Sequence, residues 1–325
     1  MDMDTVSSNN WADQSNNPLL QRILKFVAAC RRVDMEGEYP HVGDIQWWFS
    51  DTAVADPAHW HFWQDAQGKD IGVCLAEGKD IQTIAHPTAK NDQLIAAMHL
   101  WGKEHLADLA RTSGQSEFEV NEEVYSDIPA SIERVEAEGF TRTATYYLRY
   151  RRNLDGTLFS PELPEGFMIG HMDGSVSVAD RARLHRDSFY PYSSKTLDLA
   201  IAKYQRVMQL PGYDPALDLI IFAADGTLAA GGICWMDREN QIGLFEPLGT
   251  RPAFRRLGLA TALMAAGIRR LQARGADSAY ATAVHAADET TTPIPQDFTV
   301  SQLVFQAVGF KLVRKAYIYR KTYPV

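Results

Sequence analysis

The order of structural signals along this chain occurs twice, which restricts it to two copies of one fold or two segments of like punctuation. Each half opens on a helical pattern. Two β-like runs joined by a glycine turn follow, HWHFWQDAQGKDIGVCLA at 59–76 and LIIFAADGTLAAGGICWM at 219–236. A third run ends in a proline corner, IQTIAHP at 81–87 and IGLFEPLGTRP at 242–252, an offset of 165 residues. A long helical pattern, another strand and a short helix ending in Gly-Phe come next. Gly139-Phe140 and Gly309-Phe310 are offset by 170 residues, and at that offset the last strands superpose, TATYYLRYR on VRKAYIYRK with Tyr147 over Tyr317. Near-constant offsets across such spans favour internal duplication.

A chain of 325 residues suits two domains of ordinary size. Its 46% apolar and 22% charged residues exclude a collagenous, coiled-coil or largely disordered protein. The stretch RRNLDGTLFSPELPEG, 151–166, has the prolines, glycines and weak periodicity of a linker. The expected organisation is a disordered tail at 1–18, one domain at 19–150, the linker, and a second domain at 167–325. The net charge of −9 argues against nucleic-acid or anionic-membrane partners, which need clustered positive charge. That average hides a split. Residues 1–155 carry 14 Lys and Arg against 25 Asp and Glu, a balance of −11, whereas residues 156–325 carry 18 against 16, a balance of +2. An anionic ligand therefore belongs in the second half. Cys30, Cys74 and Cys234 lie far apart, so neither a disulfide framework nor a zinc site is expected, and a reducing cytoplasm is the expected home. The first 18 residues have acids where a signal peptide has Lys or Arg, and no apolar run has the length of a membrane span.

Beyond the second proline corner lies the most informative segment, Pro252 to Leu271. A strand ends at Thr250 and a helix begins near Gly258, with Leu257, Thr261, Met264, Ile268 and Leu271 on one helical face and Gly275 as the stop. Arg255, Arg256 and the small residues Gly258 and Ala260 occupy the strand-to-helix turn. Unpaired N–H groups at a helix start, with no bulky side chain over them, suit a pyrophosphate.

Arg255-Arg-Leu-Gly-Leu-Ala260 resembles the R/Q-x-x-G-x-G/A motif of the GNAT acetyltransferase superfamily. The resemblance extends through EPLGTRP before the motif, and through the helix, the strand SAYATAV (278–284) and SQLVFQAVGF (301–310) after it. That last segment is similar to the family's closing A-x-x-LYEKLGF. The resemblance covers about 165–325, with a degenerate copy over about 20–150. It implies an α/β (α+β) fold of two GNAT-like domains in tandem, each a mixed, mostly antiparallel sheet flanked by helices, with the second domain catalytic. It also implies acetyl-CoA as cosubstrate, lying between two splayed strands. The pyrophosphate would rest on the N–H groups of Arg256, Leu257, Gly258, Leu259, Ala260 and Thr261 beside Arg255. Leu248, Gly249 and Thr250 would offer backbone to the pantetheine arm. Pro247 supports the splay independently, because it has no N–H to donate and must break or bulge the ladder.

Acetyl transfer to an amine needs a base near the thioester, since an alkylammonium of pKa ~10 has no lone pair. Alternation puts Leu244, Glu246, Leu248 and Thr250 on one strand face, where Glu246 is the sole carboxylate and the candidate base. An ion pair of Glu246 with Arg251 or Arg255 is the competing structural reading. The family's acid tyrosine falls on Phe305. Either another hydroxyl substitutes, with Tyr190, Tyr192, Tyr317 and Tyr319 as candidates, or no acid is needed because a thiol of pKa ~8.5 is a tolerable leaving group. His285 is a further residue within reach of the cleft. At the first corner Lys90, Gln93 and Ile95 replace Arg255, Gly258 and Ala260, with Asp92 adjacent, so this copy is expected to have lost the cofactor and to be structural or substrate-shaping. His59 and His61 form at most two ligands of a metal site, and alternation in an aromatic strand explains them better. Trp47, Trp48, Trp60 and Trp63 read as core or interdomain packing. Phe189, Tyr190 and Tyr192 are the candidate acceptor-binding residues, for a small-molecule amine. The competing function is a non-catalytic acyl-CoA-binding regulator. A generic nucleotide-binding domain is disfavoured by the absence of GxxxxGK[ST] and GxGxxG.

Overall fold

The computed structural model describes residues 17–37, 39–156, 161, 163–189, 196–285 and 298–325, the side chains of 298–300 excepted. Asn17 starts α1 (Pro18–Val33) by accepting the Leu20 N–H, and Pro18 at the first turn has no N–H to leave unpaired. Helix α2 (Val42–Phe49) follows. Then come β1 (Trp60–Gln64), β2 (Asp70–Glu77), β3 (Asp80–Ala85), α3 (Asp92–Thr112), β4 (Glu117–Tyr125), α4 (Pro129–Ala137) and β5 (Thr141–Asn153). The second half repeats the theme with β6 (Met168–His171), α5 (Val178–Ser188), α6 (Leu197–Val207), β7 (Asp218–Phe222), β8 (Leu228–Asp237) and β9 (Ile242–Thr250). It closes with α7 (Leu259–Gln272), β10 (Ser278–His285), α8 (Phe298–Ala307) and β11 (Lys311–Pro324). Strand β5 continues to Asn153, so the first residues of the stretch 151–166 are strand.

Both halves join in one 11-stranded sheet, ordered β1-β2-β3-β4-β11-β5-β10-β9-β8-β7-β6. Its pairs are antiparallel except β3 with β4 and β9 with β10, one parallel pair in each half. The order contains an exchange. Strand β11, the last of the second half, lies between β4 and β5, while β5 of the first half pairs along β10 from Ser278 opposite Asn153 to His285 opposite Tyr146. Each half is thus completed by its partner's last strand.

Among the described residues four buried clusters form, the smallest of them Met172, Val176, Leu184, Ile220 and Leu228. Leu263, Met264, Ile268 and Leu271 of α7 pack with Phe245, Phe305 and Phe310 on one face of the second half, and α3 covers the same face of the first. Gly267 lets α7 settle directly on the strands, since a Cβ there would lie 2.5 Å from Phe245 Cε1 and 2.8 Å from Cys234 Sγ. On the opposite face α1 and α2 share a core with α5 and α6, where Leu20, Ile23, Ile45 and Phe49 meet Ala182, Tyr204, Trp235 and Leu244. Trp60 lies within this shared core, with Trp47 and Trp48 packed against it, and Trp63 packs on the first-half core. The three cysteines are free and buried. Among the described residues no helix is long and apolar enough to cross a membrane.

Candidate active site

Strands β9 and β10 pair from Ser278 opposite Ile242 to Ala281 opposite Phe245, and the pairing ends there. From Glu246 onward the edge of β9 that faces β10 has no strand partner among the described residues. The break coincides with Pro247. On the other side of β9 the register shifts between Gly232 and Cys234, so that Glu246 and Pro247 together oppose Ile233. This is the bulge expected from a residue with no N–H. It also corrects the facial assignment, because the extra residue reverses the alternation. Leu244 and Glu246 line a cleft on the α2 side, whereas Leu248 packs with the α7 core and Gly249 lies under Ser188 and Phe189.

Past Thr250 a short 3-10 turn (Pro252–Phe254) leads to α7. Arg256 and the N-cap Gly258 both take left-handed φ, 63° and 77°, and no side chain caps the helix. The first helical bond reaches back from Ala262 to Gly258, so the N–H groups of Leu259, Ala260 and Thr261 have no partner in the helix ladder. A Cβ built on Gly258 meets nothing within 4 Å. The first half differs here. Asn91 caps α3 by accepting the Leu94 N–H, and Asp92 places a negative charge in the first turn. An anion finds open donors at α7 and an occupied, acidic start at α3.

Two arginines of the turn bond to neighbours other than Glu246. The Arg255 guanidinium donates to the Thr250 carbonyl at 3.2 Å and the Ser188 carbonyl at 3.0 Å, tying the turn to the end of α5. Arg251 donates to the Leu228 carbonyl and pairs with Asp187 at 3.1 Å. Neither bonds Glu246, whose carboxylate has no hydrogen bond or ion pair among the described residues. Leu257, placed on the buried face by periodicity, precedes α7 and is 44% exposed, because the left-handed residues around it lie outside the helical repeat.

Glu246 lines a cleft of about 1280 Å³ between the halves. Burial raises its carboxyl to about 8, Asp44 adds repulsion in the same direction, and Lys203 acts against both. The backbone beneath it is held, since Trp235 Nε1 donates to the Glu246 carbonyl at 2.6 Å and Trp235 is fully buried. The exchanged strand β5 adds Tyr147 and Arg149 to the cleft wall. Burial pushes the Tyr147 phenol up to about 12, so it stays protonated. Arg149 is held by Glu123 at 2.7 Å.

The exchange removes Tyr317 and Tyr319 from consideration as acids. Both lie on β11 in the first-half core, Tyr319 donating to Glu136 Oε1 at 3.0 Å and Tyr317 lying beneath Arg142. His285 stacks on Tyr146 with ring centroids 4.5 Å apart, on the face opposite Glu246. Phe305 packs against Tyr150 and Phe310 in the core, so no hydroxyl stands at that position. Phe189 ends α5 against His185 and Gly249; Tyr190 and Tyr192 lie outside the described residues. His59 belongs to a 3-10 turn and meets His105 at 2.9 Å, while His61 stacks on Trp101. Among the described residues no group of three ligand-type side chains is placed to hold a metal.

The GNAT acetyltransferase family model matches residues 181–292, the segment that contains the bulge, the opening and the uncapped turn. The second half of the chain is a GNAT-family domain. The chain is 30% identical over 155 residues to a mycothiol acetyltransferase of Kineococcus radiotolerans, the match covering 46% of this chain and 48% of that protein. It is 32% identical over 164 residues to a mycothiol acetyltransferase of Thermobispora bispora, covering 47% and 52%. The chain therefore spans about half the length of the curated relatives it matches. The whole fold resembles a GCN5-related N-acetyltransferase from Sphaerobacter thermophilus, with a TM-score of 0.65 at 16% identity and 94% and 92% of the two chains covered. It also resembles a tandem GNAT protein from the clavulanic acid biosynthesis pathway, with a TM-score of 0.61 at 14% identity and 95% and 96% covered. At these identities the likeness is one of fold, and it extends over both halves.

Proposed function

We propose that the second half is an acetyl-CoA-dependent N-acetyltransferase acting by direct transfer to a small-molecule amine, and that the first half shapes the acceptor side of the site. The observation that carries this is the conjunction at β9. The strand opens from β10, an uncapped helix start follows it, and a base-strength carboxylate lies on the cleft side of the opening.

Acetyl-CoA supplies the activated acyl group. The N–H groups of Leu257, Gly258, Leu259, Ala260 and Thr261 would hold its pyrophosphate, and the unpaired edge of Leu248, Gly249 and Thr250 its pantetheine arm. Glu246 takes one proton from the acceptor's ammonium. The freed lone pair forms the C–N bond, the C–S bond breaks with its electrons on sulfur, and the departing sulfur takes nitrogen's second proton. A thiol of pKa ~8.5 leaves without a dedicated acid, which accords with the apolar Phe305. That both curated relatives are mycothiol acetyltransferases supports the acetyl-transfer reading, and a thiol-containing amine is one acceptor to include.

The test is release of free CoA across a panel of amino acids, amino sugars, polyamines and aminothiols. Turnover of at least one amine supports the reading. Stoichiometric acetyl-CoA binding with no turnover on any amine refutes it and favours an acyl-CoA-binding regulator, the alternative that the buried Phe305 motivates.

A further inference from the structure

We infer that Asp44, contributed by the first half, is a specificity-determining residue of the second half's site and binds the acceptor amine in its ammonium form; the inference rests on the acetyltransferase reading above.

Helix α2 is seated on the strands that carry Glu246. A Cβ on Gly43 would lie 2.4 Å from Trp235 Cβ, so the helix backbone rests directly on the tryptophan that holds the Glu246 carbonyl. One residue pair earlier, His41 Nδ1 accepts the Gly43 N–H at 2.9 Å. The ring proton is therefore on Nε2, which donates to the Ile242 carbonyl at 3.1 Å, at the start of β9. Burial holds this imidazole neutral, with its pKa lowered to about 4. Helix α2 thus grips the first residue of β9 and, through Trp235, the bulge.

This seating places Asp44 in the cleft with Glu246. Asp44 Oδ2 accepts the His41 N–H at 2.7 Å, closing the capping box, and Oδ1 has no hydrogen-bond partner among the described residues. Burial raises the Asp44 carboxyl above its ordinary range; the His41 N–H, Arg149 and Arg31 act against that, and Glu123 adds to it. Arg149 is bonded to Glu123, and Arg31 donates to the Met35 and Tyr39 carbonyls. Lys203 lies over the Trp47 ring at 4.2 Å. Two carboxylates thus share a cleft with an aromatic wall, Asp44 raising the pKa of Glu246, while the neighbouring guanidiniums are engaged elsewhere. Such a pair suits a cation, and a primary alkylamine of pKa ~10 arrives as one. Asp44 would hold its charge while Glu246 takes its proton.

Asp44→Asn keeps the volume and an acceptor for the His41 N–H. With the best amine of the panel, assayed at pH 9 where Glu246 is ionised in both enzymes, KM for the amine should rise about ten- to a hundredfold, the scale of a lost charge-assisted hydrogen bond, with the KM for acetyl-CoA within about twofold. An O-alkyl hydroxylamine of the same skeleton, uncharged at neutral pH, should show the same KM in both enzymes. Asp44→Glu, which keeps the charge, should hold the amine KM within about threefold and serves if the Asn variant does not fold. An unchanged amine KM in Asp44→Asn, or an equal rise for the neutral acceptor, overturns the inference alone. A wild-type chain that turns over no amine overturns the acetyltransferase reading and this inference with it.

Discussion

Replacing Glu246 by Gln should weaken catalysis and strengthen the fold, each with its own pH signature. In the folded protein the carboxyl titrates near 8 rather than 4.5, burial being the main cause. A base must be ionised, and at pH 7 about one Glu246 in ten is. In the wild type, kcat/KM should therefore rise about tenfold per pH unit below 8 and level off above it. Glu246→Gln should lose at least ~10²-fold in kcat and lose this acid limb with it. The stability effect follows from the same shift. Between pH 4.5 and 8 the folded state holds a proton that the unfolded state has released, so this group's stabilisation is full below 4.5 and is lost as pH rises through 8. A shift of this size corresponds to roughly 3–5 kcal/mol once Glu246 is ionised. The Gln variant carries no such charge. Urea unfolding at pH 5 and pH 9 should show it close to wild type at the lower pH and more stable by a few kcal/mol at the higher. CoA release measured from pH 5.5 to 9.5 gives the kinetic half. An acid limb near 4.5, or a Gln variant no more stable than wild type at pH 9, would rule out Glu246 as a buried base.

Two further substitutions separate the cofactor turn from the core. Gly258→Glu should leave the fold intact, because a Cβ there meets nothing, yet weaken CoA binding more than ~100-fold by placing a like charge and a strained left-handed residue at the anion site; isothermal titration of CoA reads this. Gly267→Ala should do the reverse in kind, forcing α7 off Phe245 and Cys234 and costing about 1–3 kcal/mol or more, visible as a lower denaturation midpoint.

Much of this architecture was legible because its punctuation is local. The proline corners, the glycine turns and the Gly-Phe helix ends each depend on a few adjacent residues, and the observed element order follows them. The exchange of β5 and β11 left no such mark. TATYYLRYR and VRKAYIYRK are both aromatic and basic, so either can complete either sheet, and the choice is made by tertiary packing. Pro247 announced the bulge, but simple alternation carried past it put Leu248 on the wrong face. Leu257 likewise fitted a helical period that begins only after Gly258. Asp44 gave no signal at all. It shares the Glu246 cleft because α2 packs across the halves, on Gly43, His41 and Trp235, and no spacing within one segment encodes that placement.

The central claim is that one acetyl-CoA binds per chain, between β9 and β10 of the second half. A crystal structure of the chain soaked with acetyl-CoA tests it most directly. Density for one molecule per chain is expected, its pyrophosphate on the N–H groups that begin α7 and its thioester on the cleft side near Glu246. Density at the start of α3 instead, or a bound molecule that leaves the α7 turn empty, would contradict it.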